Sequence, residues 1–471
     1  MNRRIILTIF LLTLISSFLL GSEYYVEDMV LHVPQISKHV DSDLYSSDYL
    51  FQKSTPQERL SIYYPTLAFL SYYLPLPSYV TIFLLHRIYL FFYLLLLFVW
   101  AMHFANNYFT ALLFCLFVLV RFHIGGAAIT TVEVDLLPRA IGTVFSLTGL
   151  WVRNKPKNAY IFFLLSFIFH PLSGLFGIIL YGVWLSNKKL SNLNFVFRNT
   201  LYLTLVLFVV LVSAWNLPQI SNSWLSIIRL RNSYAFADLW SSRAWINLLI
   251  LLLPGLIYLL ILNNEKIRKT FISLVVLSVV VSLTNVFFVV VHPTKLVIQL
   301  QLLRIWFYPA LVSIFCAAIL LDKFTIKFKW LRVIIVFLLI GLIYSRNSAN
   351  SAGSANWKEM TVWVKSNTLH NCVFLTPFYN KGFRLLSERS IIGEYKDGAL
   401  SFYSEEFANQ WFTRLLDLND IQSKTDEMIS KLQKKYEFNY LVEKENPQRK
   451  FSQVYKNSEF VIYQLSACEK L

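Results

Sequence analysis

The sequence is poor in charge, poor in cysteine and without the short motifs of soluble enzymes. Asp, Glu, Lys and Arg make up only 15% of its 471 residues, against about 25% in ordinary soluble domains. The whole chain is therefore not one water-soluble globule. Its four cysteines, Cys115, Cys316, Cys372 and Cys468, have no metal-ligand spacing. No phosphate-cradling P-loop, dinucleotide-binding glycine fingerprint, HExxH or GxSxG is present. Nucleotide-driven transport and serine hydrolysis therefore lack their usual residues.

Apolar residues are abundant: 56% of the chain is hydrophobic and 17% aromatic. They fall in continuous blocks of roughly 17–25 residues, the length with which a helix crosses about 30 Å of hydrocarbon. Continuous rather than alternating blocks exclude a membrane β-barrel. The expected spans are 5–21, 78–102, 109–124, 136–152, 197–214, 245–262, 270–291, 304–321 and 330–344. The stretch 159–185 is too long for one span and short for two, and Phe169-His170-Pro171-Leu172 interrupts it. It reads as two short helices turning at His170-Pro171, which brings the total to about eleven. The first span follows Asn2-Arg3-Arg4 and has no small-x-small cleavage site behind it, so it is expected to stay uncleaved.

Charge is sorted along the chain. The connectors 151–158, 186–190, 263–269 and 322–332 are basic, which places them in the cytoplasm by the positive-inside rule. The net charge of +16 is thus accounted for by membrane topology, and no nucleic-acid partner is expected. Of the twelve acidic residues before position 345, ten then lie outside, and seven crowd into 22–65. Acidic residues contribute little to orientation, so insertion does not explain that crowding. Residues 345–355 form a small, polar linker. Residues 356–471 read as a mixed α/β domain, with a helix near Trp357–Lys365, a strand at Cys372–Pro377, helix through 405–435 and strands at Tyr440–Val442 and Phe460–Tyr463. Cys372 and Cys468 both fall in this domain and could pair in an oxidising compartment.

Candidate chemistry lies in the outer segments. Glu27 and Asp28, just past the first span, could act as a general base or hold a divalent cation; Asp41, Asp43 and Asp48 form a second acidic group. The alternative is a solvated acidic loop. Glu133, Asp135 and Arg139 bracket Pro138 in the second outer loop, and His170 would sit at the hairpin tip, so that all could line one external cavity. Arg229, Arg231, Arg243 and Arg304 lie outside against the positive-inside rule. Guanidinium groups suit phosphate, although snorkelling at the interface would also place arginines there. Gln299, Gln301 and Arg304 recur at near-helical spacing and could form a polar stripe.

An N-terminal span, an acidic outer loop, many further spans and an external C-terminal domain together resemble the GT-C superfamily of polyprenyl-phosphate-sugar-dependent glycosyltransferases. The tail 356–398 is similar to those of bacterial GT-C-like membrane proteins through Trp357, Trp363, Asn367, Thr368, Pro377, Gly382, Phe383, Arg384, Ser387 and Arg389. The E-x-x-x-x-P-R of 133–139 and the His-Pro-Leu of 170–172 are similar to that group as well. There is no WWDYG, which speaks against transfer to protein asparagine.

The resemblance implies an α-helical polytopic membrane protein, GT-C-like, with a small C-terminal α/β soluble domain. Residues 1–344 would form the transmembrane domain with its acidic first external loop at 22–77, and 356–471 the extracytoplasmic domain, in a bacterial cytoplasmic membrane with the N-terminus inside. It implies transfer of a sugar from a polyprenyl-phosphate donor to a cell-surface glycan or lipid-linked acceptor. Asp28 or Glu27 would be the base, with Asp41 and Asp43 in reserve. The four arginines would hold the donor phosphate, and Mg or Mn would be a possible cation on Asp28 and Asp43. The alternative from another class is a transporter, flippase or assembly partner in surface-polysaccharide export.

Overall fold

The computed structural model describes residues 3–19, 28–52, 58, 61–74, 76, 78–189, 218–262, 264–347, 354–446 and 448–468. In chain order its main helices are α1 (Arg3–Leu19), α2 (Met29–Val40), α3 (Tyr63–Tyr73), α4 (Ser78–Ala105), α5 (Tyr108–Leu119), α6 (Pro138–Trp151), α7 (Pro156–Phe169) and α8 (Pro171–Lys189). Then follow α9 (Asn222–Arg231), α10 (Ser242–Ile261), α11 (Glu265–Asn285), α12 (Phe307–Thr325), α13 (Lys329–Asn347), α14 (Ala355–Asn367), α15 (Glu405–Leu418) and α16 (Asp426–Tyr436). They form two compact units. One comprises Met1–Ser22, Leu85–Leu225 and Asn232–Ala349; the other comprises Glu23–Leu84, Ser226–Arg231 and Asn350–Leu471.

The first unit is helical and apolar. Among the described residues four helical stretches, Ser78–Ala105, Ser242–Ile261, Glu265–Val291 and Lys295–Thr325, are long and apolar enough to cross a membrane. One face of α10 exposes large apolar side chains, Leu249, Ile250, Leu253, Leu260 and Ile261 among them. A soluble core would bury that face, whereas a bilayer accepts it. Eleven full crossings are more than these helices supply. Helices stand at ten of the eleven expected positions, and the eleventh, 197–214, lies outside the described residues. But α5, α6 and α7 have 12, 14 and 14 residues, which at 1.5 Å per residue reach only about 18–21 Å of the roughly 30 Å needed.

The break expected at His170-Pro171 is there. His170 is extended (φ −150°, ψ 101°), and Pro171 opens α8, where its missing N–H costs no hydrogen bond. Both helices pack on α6. Gly174 lies so close to the preceding helix that a Cβ there would meet Phe167 Cα at 2.6 Å, so the corner cannot close over a side chain. Elsewhere Asp322 of α12 accepts hydrogen bonds from Thr110 of α5 (2.9 Å) and Arg332 of α13 (2.7 Å), fastening three helices at one buried carboxylate.

The second unit contains a five-stranded sheet of order β2-β1-β3-β5-β4, with β1 Val373–Leu375, β2 Ser390–Ile391, β3 Tyr440–Glu443, β4 Ser452–Lys456 and β5 Val461–Gln464. β1 runs parallel to β2 and β3, while β5 is antiparallel to β3 and β4. β1 and β3 are buried along their whole length, as strands covered on both faces must be. Trp357 and Met360 of α14 pack with Phe374, Phe383, Val442 and Ile462 to make the core. The tail motif builds this fold. Gly382 adopts φ +86°, a backbone that other residues enter only with strain. Arg389 closes the C-terminal end of α14, donating to the Lys365 and Thr368 carbonyls at 2.8 and 2.6 Å.

Among the described residues, 28–52 of the acidic first loop are packed more than solvated. Met29 to Ile36 of α2 are all buried, and Val30, Leu31, Leu44, Tyr45, Tyr49, Leu50 and Phe51 form one cluster with Leu400, flanked by Leu385 and Phe407. Residues 28–52 are thus part of the α/β unit. Cys372 and Cys468 form a disulfide with 5.4 Å between their Cα atoms. Alkylation of the denatured, unreduced protein should therefore modify two cysteines, Cys115 and Cys316, and after reduction four, as counted by intact mass.

Candidate functional site

In the helical unit, residues from separate stretches line one cleft. Glu133 and Arg139 come from the loop and first turn of α6, His170 and Ser173 from the α7–α8 corner, Arg304 from the turn before α12, and Tyr89 and Tyr93 from α4. The cleft is narrow, with a cavity volume of about 50 Å³. Arg139 clasps Glu133 through two hydrogen bonds, Nε to Oε1 at 2.7 Å and Nη2 to Oε2 at 3.2 Å. His170 Nδ1 accepts the Ser173 backbone N–H at 3.2 Å, which in the neutral ring leaves the proton on Nε2. Arg304 reaches the cleft because the helix breaks at Gln301. That residue is left-handed (φ 45°, ψ 49°) and divides Lys295–Gln299 from the 3-10 turn Leu302–Trp306. The stripe expected from Gln299, Gln301 and Arg304 is interrupted there for the same reason. Asp135, expected beside Glu133, is not among the lining residues.

In the α/β unit the acidic candidates separate. Asp28 stands at the N-cap position of α2 without a capping hydrogen bond, and its carboxylate pairs with Lys396 at 2.7 Å. Asp41 caps the other end and accepts the Asp43 N–H at 3.0 Å in an exposed turn. The twelve residues between them amount to about 18 Å of helix. Asp28 and Asp43 therefore cannot share one cation. Among the described residues no three His, Cys, Asp or Glu side chains gather as a metal site. Glu27 lies outside the described residues.

Asp48, expected to line a cavity, is instead fully buried. It accepts Arg384 Nε at 2.7 Å and Nη2 at 3.1 Å, as well as the Leu50 and Ile391 N–H groups. Arg384 also donates to Asp397 at 2.6 and 2.9 Å, and Glu394 Oε1 lies 3.8 Å from it. Burial alone would lower the guanidinium's pKa, but Asp397 and Asp48 hold it well above the ordinary value. Three carboxylates then face one cation. Burial, reinforced by the charge of Asp397, pushes Glu394 up to about 8.

The arginine candidates also part company. Arg231, at the end of α9, donates to the carbonyls of Tyr395 (3.0 Å) and Lys396 (3.4 Å), and its guanidinium lies over the Tyr395 ring at 4.7 Å. It is a fastener of the α/β unit rather than a free phosphate ligand. Yet it meets the same Lys396 that pairs with Asp28, so two residues singled out by sequence converge on one turn. Arg229 is half-buried two residues earlier on α9, and Arg243 is exposed in the first turn of α10. Sequence reasoning missed Lys396, Tyr89 and Tyr93; tyrosines in an apolar run gave the only signal for the last two.

Residues 355–418 match the model of a domain of unknown function, DUF6798. That region runs from α14 to α15 and includes Arg384, Arg389, Glu394 and Asp397. No curated protein matches the chain in sequence. The chain is similar to the solved archaeal oligosaccharyltransferase AglB from Archaeoglobus fulgidus, in complex with an inhibitory peptide and a dolichol-phosphate, at a TM-score of 0.43 and 11% identity over 93% of this chain and 69% of that one. Composition and fold define the class: a helical membrane protein carrying a small α/β unit.

Two outcomes follow. Asp48→Ala leaves Arg384 short of one buried partner and should cost about 3–5 kcal/mol. This would be read as faster hydrogen exchange in 29–51 and 382–391 of the detergent-solubilised protein, with the helical unit unchanged. The second concerns pH. A buried Glu394 keeps its proton up to about pH 8, whereas the unfolded chain releases it near 4.5. Stability is then full below pH 4.5 and falls as pH rises through 8. Glu394→Gln removes that loss, so its protection relative to wild type, compared at matched pH, should grow from near zero below about pH 4 to a plateau above 8.

Proposed function

We propose that the protein is a membrane glycosyltransferase of the GT-C type. It would move a sugar from a polyprenyl-phosphate donor to a cell-surface glycan or lipid-linked acceptor on the outer side of a bacterial cytoplasmic membrane. The observation that carries this reading is the convergence of Glu133, Arg139, His170 and Arg304 on one cleft of the apolar unit. A cationic cleft in a lipid-facing scaffold suits a phosphate whose tail is a hydrocarbon, because the tail can stay in the bilayer while guanidinium groups hold the head. The narrow interior fits a head group of a few atoms rather than a whole lipid.

In this reading Arg304 and Arg139 bind the donor phosphate, with Glu133 fixing the plane of Arg139. The Nε2–H of His170 donates to a phosphate oxygen. Asp28, or its neighbour Glu27, takes the proton of the acceptor hydroxyl. The hydroxyl oxygen attacks the anomeric carbon, and the sugar–phosphate C–O bond breaks with its electron pair leaving on polyprenyl phosphate. The ion pair with Lys396 holds Asp28 in place. The Cys372–Cys468 disulfide supports an oxidising, extracytoplasmic setting for the α/β unit.

The test is complementation of a deletion strain, scored by its surface glycan and lipid-linked intermediates. Arg304→Gln and the Asp28→Asn, Glu27→Gln double variant should each lower product at least a hundredfold at normal expression. Unchanged product in both would end the transferase reading and favour a transporter, flippase or assembly partner.

A further inference from the structure

The α/β unit holds a second, larger cavity on the side where β1 and β3 begin, with about 740 Å³ of space. That is within the ~300–1,000 Å³ typical of small-molecule sites. Its lining is unlike an apolar ligand pocket. Ser47, Gln52, Asn371, Gln433, Asn439 and Ser466 give it amides and hydroxyls, and Arg414, Lys434 and Lys435 give it positive charge against Glu437 alone.

The cavity is built rather than incidental. Asn439 forms its floor: its side-chain oxygen accepts the Val373 N–H at 2.9 Å, and its amide donates to Ser466 Oγ at 3.2 Å and the Ala467 carbonyl at 3.1 Å. The Cys372–Cys468 bond secures the same edge. Arg414 is held by the Ile392 carbonyl at 2.9 Å and the Gln410 carbonyl at 3.2 Å, and lies 4.0 Å from the centre of the Tyr49 ring and 5.2 Å from that of Tyr436. Its Nη2 makes no hydrogen bond among the described residues. Lys435 and the Tyr436 hydroxyl are tied to Asp417, whereas Lys434 is exposed on the cavity wall. Tyr49 has Phe407 stacked against it as well as Arg414, so the cavity recognises charge and hydroxyls more than an apolar sugar face.

We propose that this cavity is a binding site for an acidic saccharide, one bearing carboxylates among its hydroxyl groups. Arg414 and Lys434 would take the carboxylate, and Gln52, Asn371 and Gln433 the hydroxyls. The inference rests on the glycan-handling reading above and gives its acceptor a chemical class.

The experiment measures binding to the full-length protein in detergent at physiological salt. The probes are a short galacturonate oligomer, a neutral glucose oligomer of the same length, and inorganic phosphate. The acidic oligomer should bind at least tenfold more tightly than the neutral one. Lys434→Glu should weaken it at least tenfold. The charge-matched control Lys431→Glu, on the same helix outside the cavity, should change it less than twofold. Arg414→Gln should weaken it too, and Lys434→Glu carries the test if that variant misfolds. Equal binding of acidic and neutral oligomers, equal loss in Lys431→Glu and Lys434→Glu, or phosphate binding as tightly as the oligomer would overturn the assignment. Binding is read without turnover. An inactive protein that binds selectively sinks the transferase and keeps the site; an active protein that does not bind sinks the site and keeps the transferase.

Discussion

One buried guanidinium organises the α/β unit. Arg384 and its three carboxylates have almost no exposure to water, and charges so placed cost several kcal/mol each unless every lone pair and proton finds a partner. Here nearly all do. Asp48 accepts two backbone N–H groups besides the guanidinium, and Asp397 accepts the Tyr49 hydroxyl and the Glu394 N–H. Burial raises the Glu394 pKa, so that with Glu394 protonated two carboxylates rather than three oppose the guanidinium. Such a cluster tolerates few rearrangements. Moving the 48–51 turn would strip Arg384 of its bidentate partner and leave an uncompensated charge in the core. Residues 336 positions apart in sequence are thereby made one folding unit.

The same cluster sets the position of the proposed base. Glu394 and Asp397 stand three apart across the start of a 3-10 turn, Tyr395–Phe402, and positions three apart in such a helix eclipse. Both therefore point inward to Arg384. Tyr395 and Lys396, between them, take other directions: Tyr395 lies under Arg231, and Lys396 reaches Asp28. Inward charge satisfaction and outward placement of Asp28 are two faces of one turn. A change at Arg384 would move a candidate catalytic carboxylate without touching it.

Much of this was legible in the sequence, and the misses share a cause. Apolar blocks announced the long helices, and His170-Pro171 announced the corner between α7 and α8, because local chemistry decides both. In the tail, Val373–Leu375, Tyr440–Glu443 and Val461–Gln464 were readable as apolar runs, whereas β4, SQVYK, was not. It is a sheet edge and half exposed, so nothing apolar marks it. The acidic residues of 28–48 drew attention away from Met29, Val30, Leu31 and Ile36, which bury α2. Asp48 looked like surface because a charged residue usually is; its partner, Arg384, is fixed only by tertiary packing. The Cys372–Cys468 pairing, 96 residues apart, was open for the same reason.

The two cavities differ in a way that bears on what the chain can handle. The cleft of the helical unit is narrow, aromatic-walled and cationic at Arg139 and Arg304, in a scaffold whose α10 exposes Leu249, Leu253 and Leu260. The cavity of the α/β unit is larger, lined by amides, hydroxyls and basic side chains. Neither could do the other's task. A hydrated, hydroxyl-rich ligand would lose its water contacts in the first without enough polar groups to replace them. A polyprenyl phosphate would have to leave its hydrocarbon environment to fill the second. Transfer between a lipid-borne donor and a hydrated acceptor is a chemistry that requires both environments in one protein.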